Sequence, residues 1–150
     1  MSIGVTIYPD DGRDYQALLK NADIAMYKSK EEGKNTFRFY ADTMNEEAYR
    51  QLEVEHRLHK ALDNNEFYLV YQPICDARTL RIKGAEALLR WNNPDLGLVP
   101  PDEFIPLAEK TGSMIKIGEW VLRTACSQAA QWQNHTTDLF KISINLSPRQ

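Results

Sequence analysis

Phe67-Tyr68-Leu69-Val70-Tyr71, followed after a polar break by Ile82-Lys83-Gly84-Ala85-Glu86-Ala87-Leu88-Leu89-Arg90-Trp91, is the stretch on which the fold of this 150-residue chain turns. The first run is nearly all apolar, as expected of a strand buried on both faces. Asp76-Ala77-Arg78-Thr79 offers turn chemistry, so the second run can return as a partner strand. Gly84, Glu86, Leu88 and Arg90 then share one face, because side chains repeat every two residues. A carboxylate and a guanidinium would stand ~13 Å apart along that wall. The first suits a hard divalent cation, and the second forks onto phosphate oxygens. Ala85 to Arg90 also reads as good helix, with Glu86 and Arg90 an exposed pair contributing roughly a few tenths of a kcal/mol. Pattern alone leans slightly to the helix and leaves both readings open.

Downstream, a loop holding Pro94, Pro100 and Pro101 leads into helical stretches near 101–111 and 117–134. Ile142-Ser143-Ile144-Asn145-Leu146-Ser147 then alternates apolar and small polar residues, as a strand does. Asn145 in that setting is ordinarily a strand-end cap; only beside Glu86 does it become a metal ligand. Strand, helix, strand is an incomplete α/β architecture, and the start of a barrel or wound sheet fits it best.

Upstream, residues 42–65 carry many charges and no Gly or Pro, with Ala48, Leu52, Leu58 and Leu62 at helical spacing. This reads as an amphipathic connector helix; the heptads are too few for a coiled-coil seam. Residues 3–8 read as a strand stopped by Pro9-Asp10-Asp11-Gly12. A helix follows from Tyr15, with Leu18, Leu19, Ala22, Ala25 and Met26 as its stripe and Gly33 and Asn35 closing it. Thr36 to Tyr40 reads as a last short strand. These forty residues are too few for a complete core and look like the end of something larger. Lys30 and Lys34, four apart at the helix end, could grip phosphates, although solvated lysines complementing the helix dipole are the commoner case.

A net charge of -3 gives no global pull toward nucleic acid or anionic membrane. No apolar run approaches the roughly 20 residues of a membrane helix, so a soluble, cytoplasmic chain is expected, while a longer parent could be membrane-anchored through a segment outside it. Cys75 and Cys126 lack metal or redox spacing and are expected to be reduced, buried thiols. His56, His59 and His135 lie in polar stretches and are expected at the surface.

Two resemblances add to this reading. Ser2-Ile3-Gly4-Val5, Asp10-Asp11-Gly12, Leu18-Leu19-Lys20-Asn21-Ala22-Asp23-Ile24-Ala25-Met26-Tyr27, Lys30 and Gly33-Lys34-Asn35 resemble the C-terminal end of a GGDEF domain. Tyr71-Gln72-Pro73-Ile74, Gly84 to Trp91, Phe104-Ile105-Pro106-Leu107-Ala108-Glu109, Gly118-Glu119-Trp120-Val121-Leu122 and Asn145-Leu146-Ser147 resemble an EAL domain. Asn93 departs from that pattern, since a His often stands there.

The resemblance implies an α/β chain: a GGDEF remnant at 1–41, a linker helix at 42–65, and at 66–150 the incomplete start of a TIM-like (β/α) barrel whose first strand runs antiparallel to its neighbour. It implies a bacterial signalling protein whose EAL part hydrolyses cyclic di-GMP to the linear dinucleotide with Mg²⁺ or Mn²⁺. Carried over by motif, Glu86 and Asn145 are metal ligands, Arg90 contacts a ligand phosphate, Gln72 lines the dinucleotide site, and Lys30 and Lys34 meet nucleotide phosphates. The family's other acidic ligands and its general base match positions beyond Gln150, so no catalytic base is assigned and the isolated chain is expected to be inactive. The expected partners are cyclic di-GMP, GTP at the GGDEF half, and a second copy in the intact protein. Two alternatives stay open: a receptor that binds cyclic di-GMP without cleaving it, and a parent that is chiefly a diguanylate cyclase.

Overall fold

Ile82–Asn93 is a strand, which resolves the helix-or-strand ambiguity in favour of the sheet. What decides it is non-local: partners on both sides take up its backbone groups, which no helical propensity in Ala85–Arg90 can outweigh. The computed structural model describes residues 1–31, 33–134 and 140–147. In chain order the elements are β1 (Ile3–Val5), α1 (Tyr15–Glu31), β2 (Phe37–Phe39), α2 (Thr43–Ala61), β3 (Phe67–Cys75), β4 (Ile82–Asn93), β5 (Gly97–Val99), α3 (Pro101–Thr111), α4 (Met114–Gln133) and β6 (Lys141–Ile144). They divide into two compact units, Met1–Glu53 and Val54–Gln150.

In the first unit β1 and β2 pair in parallel, Ile3 opposite Phe37 and Val5 opposite Phe39. Helix α1 is the crossover between them. Asp14 caps its start, accepting the Ala17 N–H at 2.8 Å. Its end is turned by Gly33, Lys34 and Asn35, all at positive φ (108°, 63° and 52°). Ala25 and Ser29 are its buried residues, and the Ser29 hydroxyl is satisfied by the Thr36 carbonyl at 2.8 Å. The strand is shorter than the sequence suggests, because residues 8–11 already turn. The first half of α2 is tied to α1 by Lys28–Glu47 at 2.7 Å and Gln51–Glu31 at 3.1 Å.

In the second unit β4 is the organising strand. It pairs antiparallel with β3, antiparallel with β5 at its far end, and parallel with β6 over Gly84–Ala87. The antiparallel first strand is therefore as expected, and no closed barrel forms among the described residues. Helices α3 and α4 cover the face of β4 that bears Ala85, Ala87, Leu89 and Trp91. Phe67, Trp91 and Phe104 form the aromatic centre, with ring centroids 5.6–5.8 Å apart. Pro101 opens α3 and Gly112 closes it in the left-handed conformation at φ 76°.

Three expectations change. β3 is not buried on both faces: Tyr68 and the segment Gln72–Cys75 are exposed, because the sheet is covered on one side. Leu52 is 65% exposed, and α2 instead turns Val54, Leu58 and Ala61 into the core with Phe67 and Trp91. Cys75 and Cys126 are free but exposed rather than buried. His56 and His59 are at the surface as expected, and His135 lies outside the described residues.

Candidate metal and ligand site

Glu86 and Asn145 are 59 positions apart in sequence, and the fold places them side by side. β6 runs parallel to β4 with Ser143 opposite Glu86 and Ile144 opposite Ala87, so the chain leaves the ladder just past Glu86. The Asn145 Nδ2 donates to Glu86 Oε1 at 2.7 Å. Gly84 makes this closeness possible. A Cβ there would sit 2.3 Å from the Lys141 carbonyl oxygen, so only glycine lets β6 approach β4 at that point.

On the other side of β4, Gln72 is opposite Glu86 in register, and cross-strand partners share a face. Gln72 is exposed on that face. Arg90 lies two positions beyond Leu88 on the same face, opposite Tyr68. Its Nη1 donates to the Leu89 carbonyl at 2.8 Å. Arg90 and Asn145 both line a cleft of about 170 Å³, whose other walls include Leu88, Ile105, Met114 and Leu146. Four of the expected site residues are thus brought together: Glu86 and Arg90 on β4, Gln72 on β3 and Asn145 just past the end of β6. Lys30 and Lys34 belong to the first unit, both exposed, one in the last turn of α1 and one just beyond it.

The donor chemistry suits a hard divalent cation. A carboxylate and a carboxamide both offer oxygen, and turning the Asn145 amide would present Oδ1 in place of Nδ2. Among the described residues no group of three or more His, Cys, Asp and Glu gathers around a common point.

Two features escape the sequence reading. Glu66 is buried and accepts from Trp91 Nε1 at 2.8 Å, Asn93 Nδ2 at 2.9 Å and Asn64 Nδ2 at 3.0 Å. Asn93 Oδ1 in turn accepts the N–H groups of Asp95 and Leu96, which folds the turn into β5. The departure at Asn93 is therefore built into the core. Secondly, Ser147 Oγ donates to Glu109 Oε1 at 2.6 Å. Both residues end quoted runs, but nothing in their spacing announces that they meet.

The family model described as EAL domain matches residues 55–150. The chain belongs to the EAL domain family. Residues 1–36 match the model described as diguanylate cyclase, GGDEF domain, so the chain carries the end of one domain and the start of the other. The bifunctional diguanylate cyclase/cyclic di-GMP phosphodiesterase MucR of Pseudomonas aeruginosa is 44% identical over 99% of this chain and 22% of its own length. The cyclic di-GMP phosphodiesterase PdeR of Escherichia coli is 36% identical over the same shares. The chain spans about a fifth of the curated relatives it matches.

Among solved structures, the PaMucR phosphodiesterase in complex with c-di-GMP is similar at a TM-score of 0.60 and 44% identity, over 63% of this chain and 38% of that one. The EAL enzyme Bd1971, in its form bound to cAMP and cyclic di-GMP, gives a TM-score of 0.62 at 31% identity, over 93% and 37%. The EAL start therefore has the fold of a structurally characterised domain, and Glu86 stands in the motif that names it.

Proposed function

We propose that this chain forms part of a cyclic di-GMP phosphodiesterase, in which Glu86 and Asn145 supply oxygen ligands to Mg²⁺ or Mn²⁺. The observation that carries the reading is the 2.7 Å contact between the two side chains across the β4–β6 pair. The similarity to proteins named as cyclic di-GMP phosphodiesterases supports the substrate. A bound divalent ion there supplies charge neutralisation at the phosphodiester and an acidified water.

The residues of this chain have separable tasks. Glu86 binds the cation through its carboxylate, and Asn145 adds a neutral oxygen without adding charge. Arg90 forks onto a phosphate of the dinucleotide from the same face. Gln72, opposite Glu86, meets the ligand with an amide that both donates and accepts. In the GGDEF part, Lys30 and Lys34 meet the phosphates of a nucleotide such as GTP. The whole protein is read as a cytoplasmic signalling enzyme working as a homodimer. Among the described residues no helix is long and apolar enough to cross a membrane.

The test uses the full-length protein that carries this chain, with cyclic di-GMP and Mn²⁺ or Mg²⁺. Linear dinucleotide should form, chelation should stop it, and Glu86→Ala should lower turnover by at least about 100-fold, the upper end of what disturbing a metal ligand's partner already costs. Binding of cyclic di-GMP without any cleavage by the unmutated protein would make the chain part of a receptor instead.

A further inference from the structure

We propose that Glu109 is a positioning residue for Asn145, acting through Ser147; this rests on the reading of Glu86 and Asn145 as metal ligands. The ladder between β4 and β6 ends at Ala87 and Ile144. Asn145, Leu146 and Ser147 therefore lie beyond the last strand pairing, where the backbone has rotational freedom that something must remove. Packing of the intervening side chain does not remove it, since Leu146 is 60% exposed.

The hydroxyl of Ser147 supplies the restraint. It donates to the Glu109 carboxylate at 2.6 Å, a charge-assisted bond of the short, strong kind. Glu109 is itself carried on a firm support. It sits near the end of α3, whose Phe104, Leu107 and Ala108 are buried and whose Phe104 ring packs against Phe67 and Trp91. A continuous path thus runs from the aromatic core through α3 to Glu109, to Ser147, and two residues back to Asn145 at Glu86. Partners that orient a metal ligand are worth about 10–100-fold in metal affinity. Acting one step further out, Glu109 belongs at the low end, about tenfold.

The experiment reads Mn²⁺ affinity without substrate, by the paramagnetic resonance signal of the free ion, in the full-length protein. The variants are Glu86→Ala, Glu109→Ala, Ser147→Ala, Ser147→Thr and the double Glu109→Ala/Ser147→Ala, each with its melting temperature. Glu109→Ala and Ser147→Ala should each weaken Mn²⁺ about tenfold at an unchanged melting temperature. The double variant should be no weaker than either single, and Ser147→Thr, which keeps the hydroxyl, should bind as the unmutated protein does. If Glu109→Ala melts early, Ser147→Ala, which removes one hydroxyl, carries the comparison. Unaltered affinity in both single variants while Glu86→Ala loses the ion overturns the positioning role and leaves the metal reading standing. Additive losses in the double variant also overturn it, because the two residues would then act separately. Full Mn²⁺ affinity in Glu86→Ala overturns the metal reading, and the positioning role falls with it.

Discussion

Glu66 is a carboxylate among aromatic rings, and its surroundings explain why it is tolerated there. Burial pushes its carboxyl up, but the N–H donors of Trp91, Asn93 and Asn64 and the charge of Arg57 outweigh that, leaving it below the ordinary glutamate value. A folded value below the unfolded one means its contribution is present above the unfolded carboxylate range, roughly pH 4.3, and is lost as pH falls through the lower folded value. Glu66→Gln should therefore cost about 1–3 kcal/mol at neutral pH and flatten the acid limb of stability, measured by urea unfolding across pH. An acid limb identical to that of the unmutated protein would remove Glu66 from this role. None of this was legible in the sequence, since the partners lie up to 27 positions away and no local pattern links them. Glu86 and Asn145 were legible as a pair only through the motifs, because strand spacing alone could not say that β6 would lie against β4.

At the scale of elements, the β4–β6 pairing is the joint on which the site depends. Gly84→Ala would drive a Cβ into the Lys141 carbonyl, which lies 2.3 Å from where that atom would be. The strands must then separate, so amide exchange across 141–144 should rise and Mn²⁺ affinity should fall. Unchanged exchange there would show that the backbone adapts. The β3–β4 hairpin has its own clamp at Asp76, whose carboxylate takes an ion pair from Lys83 at 2.9 Å and bonds from Thr79 and Arg78. These hold its acid form well below the usual aspartate range, Lys83 first. Helices were readable because α1, α2, α3 and α4 keep long periodic stripes. β5 was not, because Gly97-Leu98-Val99 is too short to show a period and is set by the Asn93 turn. The α4 start at Met114 lies three residues ahead of the expected one, although Gly112 and Ser113 directly before it are the residues that close α3 and cap α4.

At the scale of the whole molecule, the second unit is a sheet of four strands among the described residues, covered by helices on one face. Gln72, Glu86 and Arg90 share its other face by register, and Tyr68, Ile74, Leu98 and Leu146 are exposed apolar side chains in that unit. Open edges and uncovered apolar groups favour association over a monomeric fold. The isolated 150-residue chain should therefore show no phosphodiesterase turnover, bind a hydrophobic dye and melt without a sharp transition. A cooperative calorimetric melt with measurable turnover would contradict this.

The pairing of Glu86 with Asn145 is tested most directly by diffraction from crystals of the full-length protein grown with Mn²⁺, using the anomalous signal of the ion. The expected result is an ion in direct coordination with a Glu86 oxygen and with Asn145 Oδ1, with the amide turned from its contact with Glu86. An ion bound elsewhere, with Asn145 Nδ2 still donating to Glu86, would show that the contact is a structural hydrogen bond and not half of a metal site.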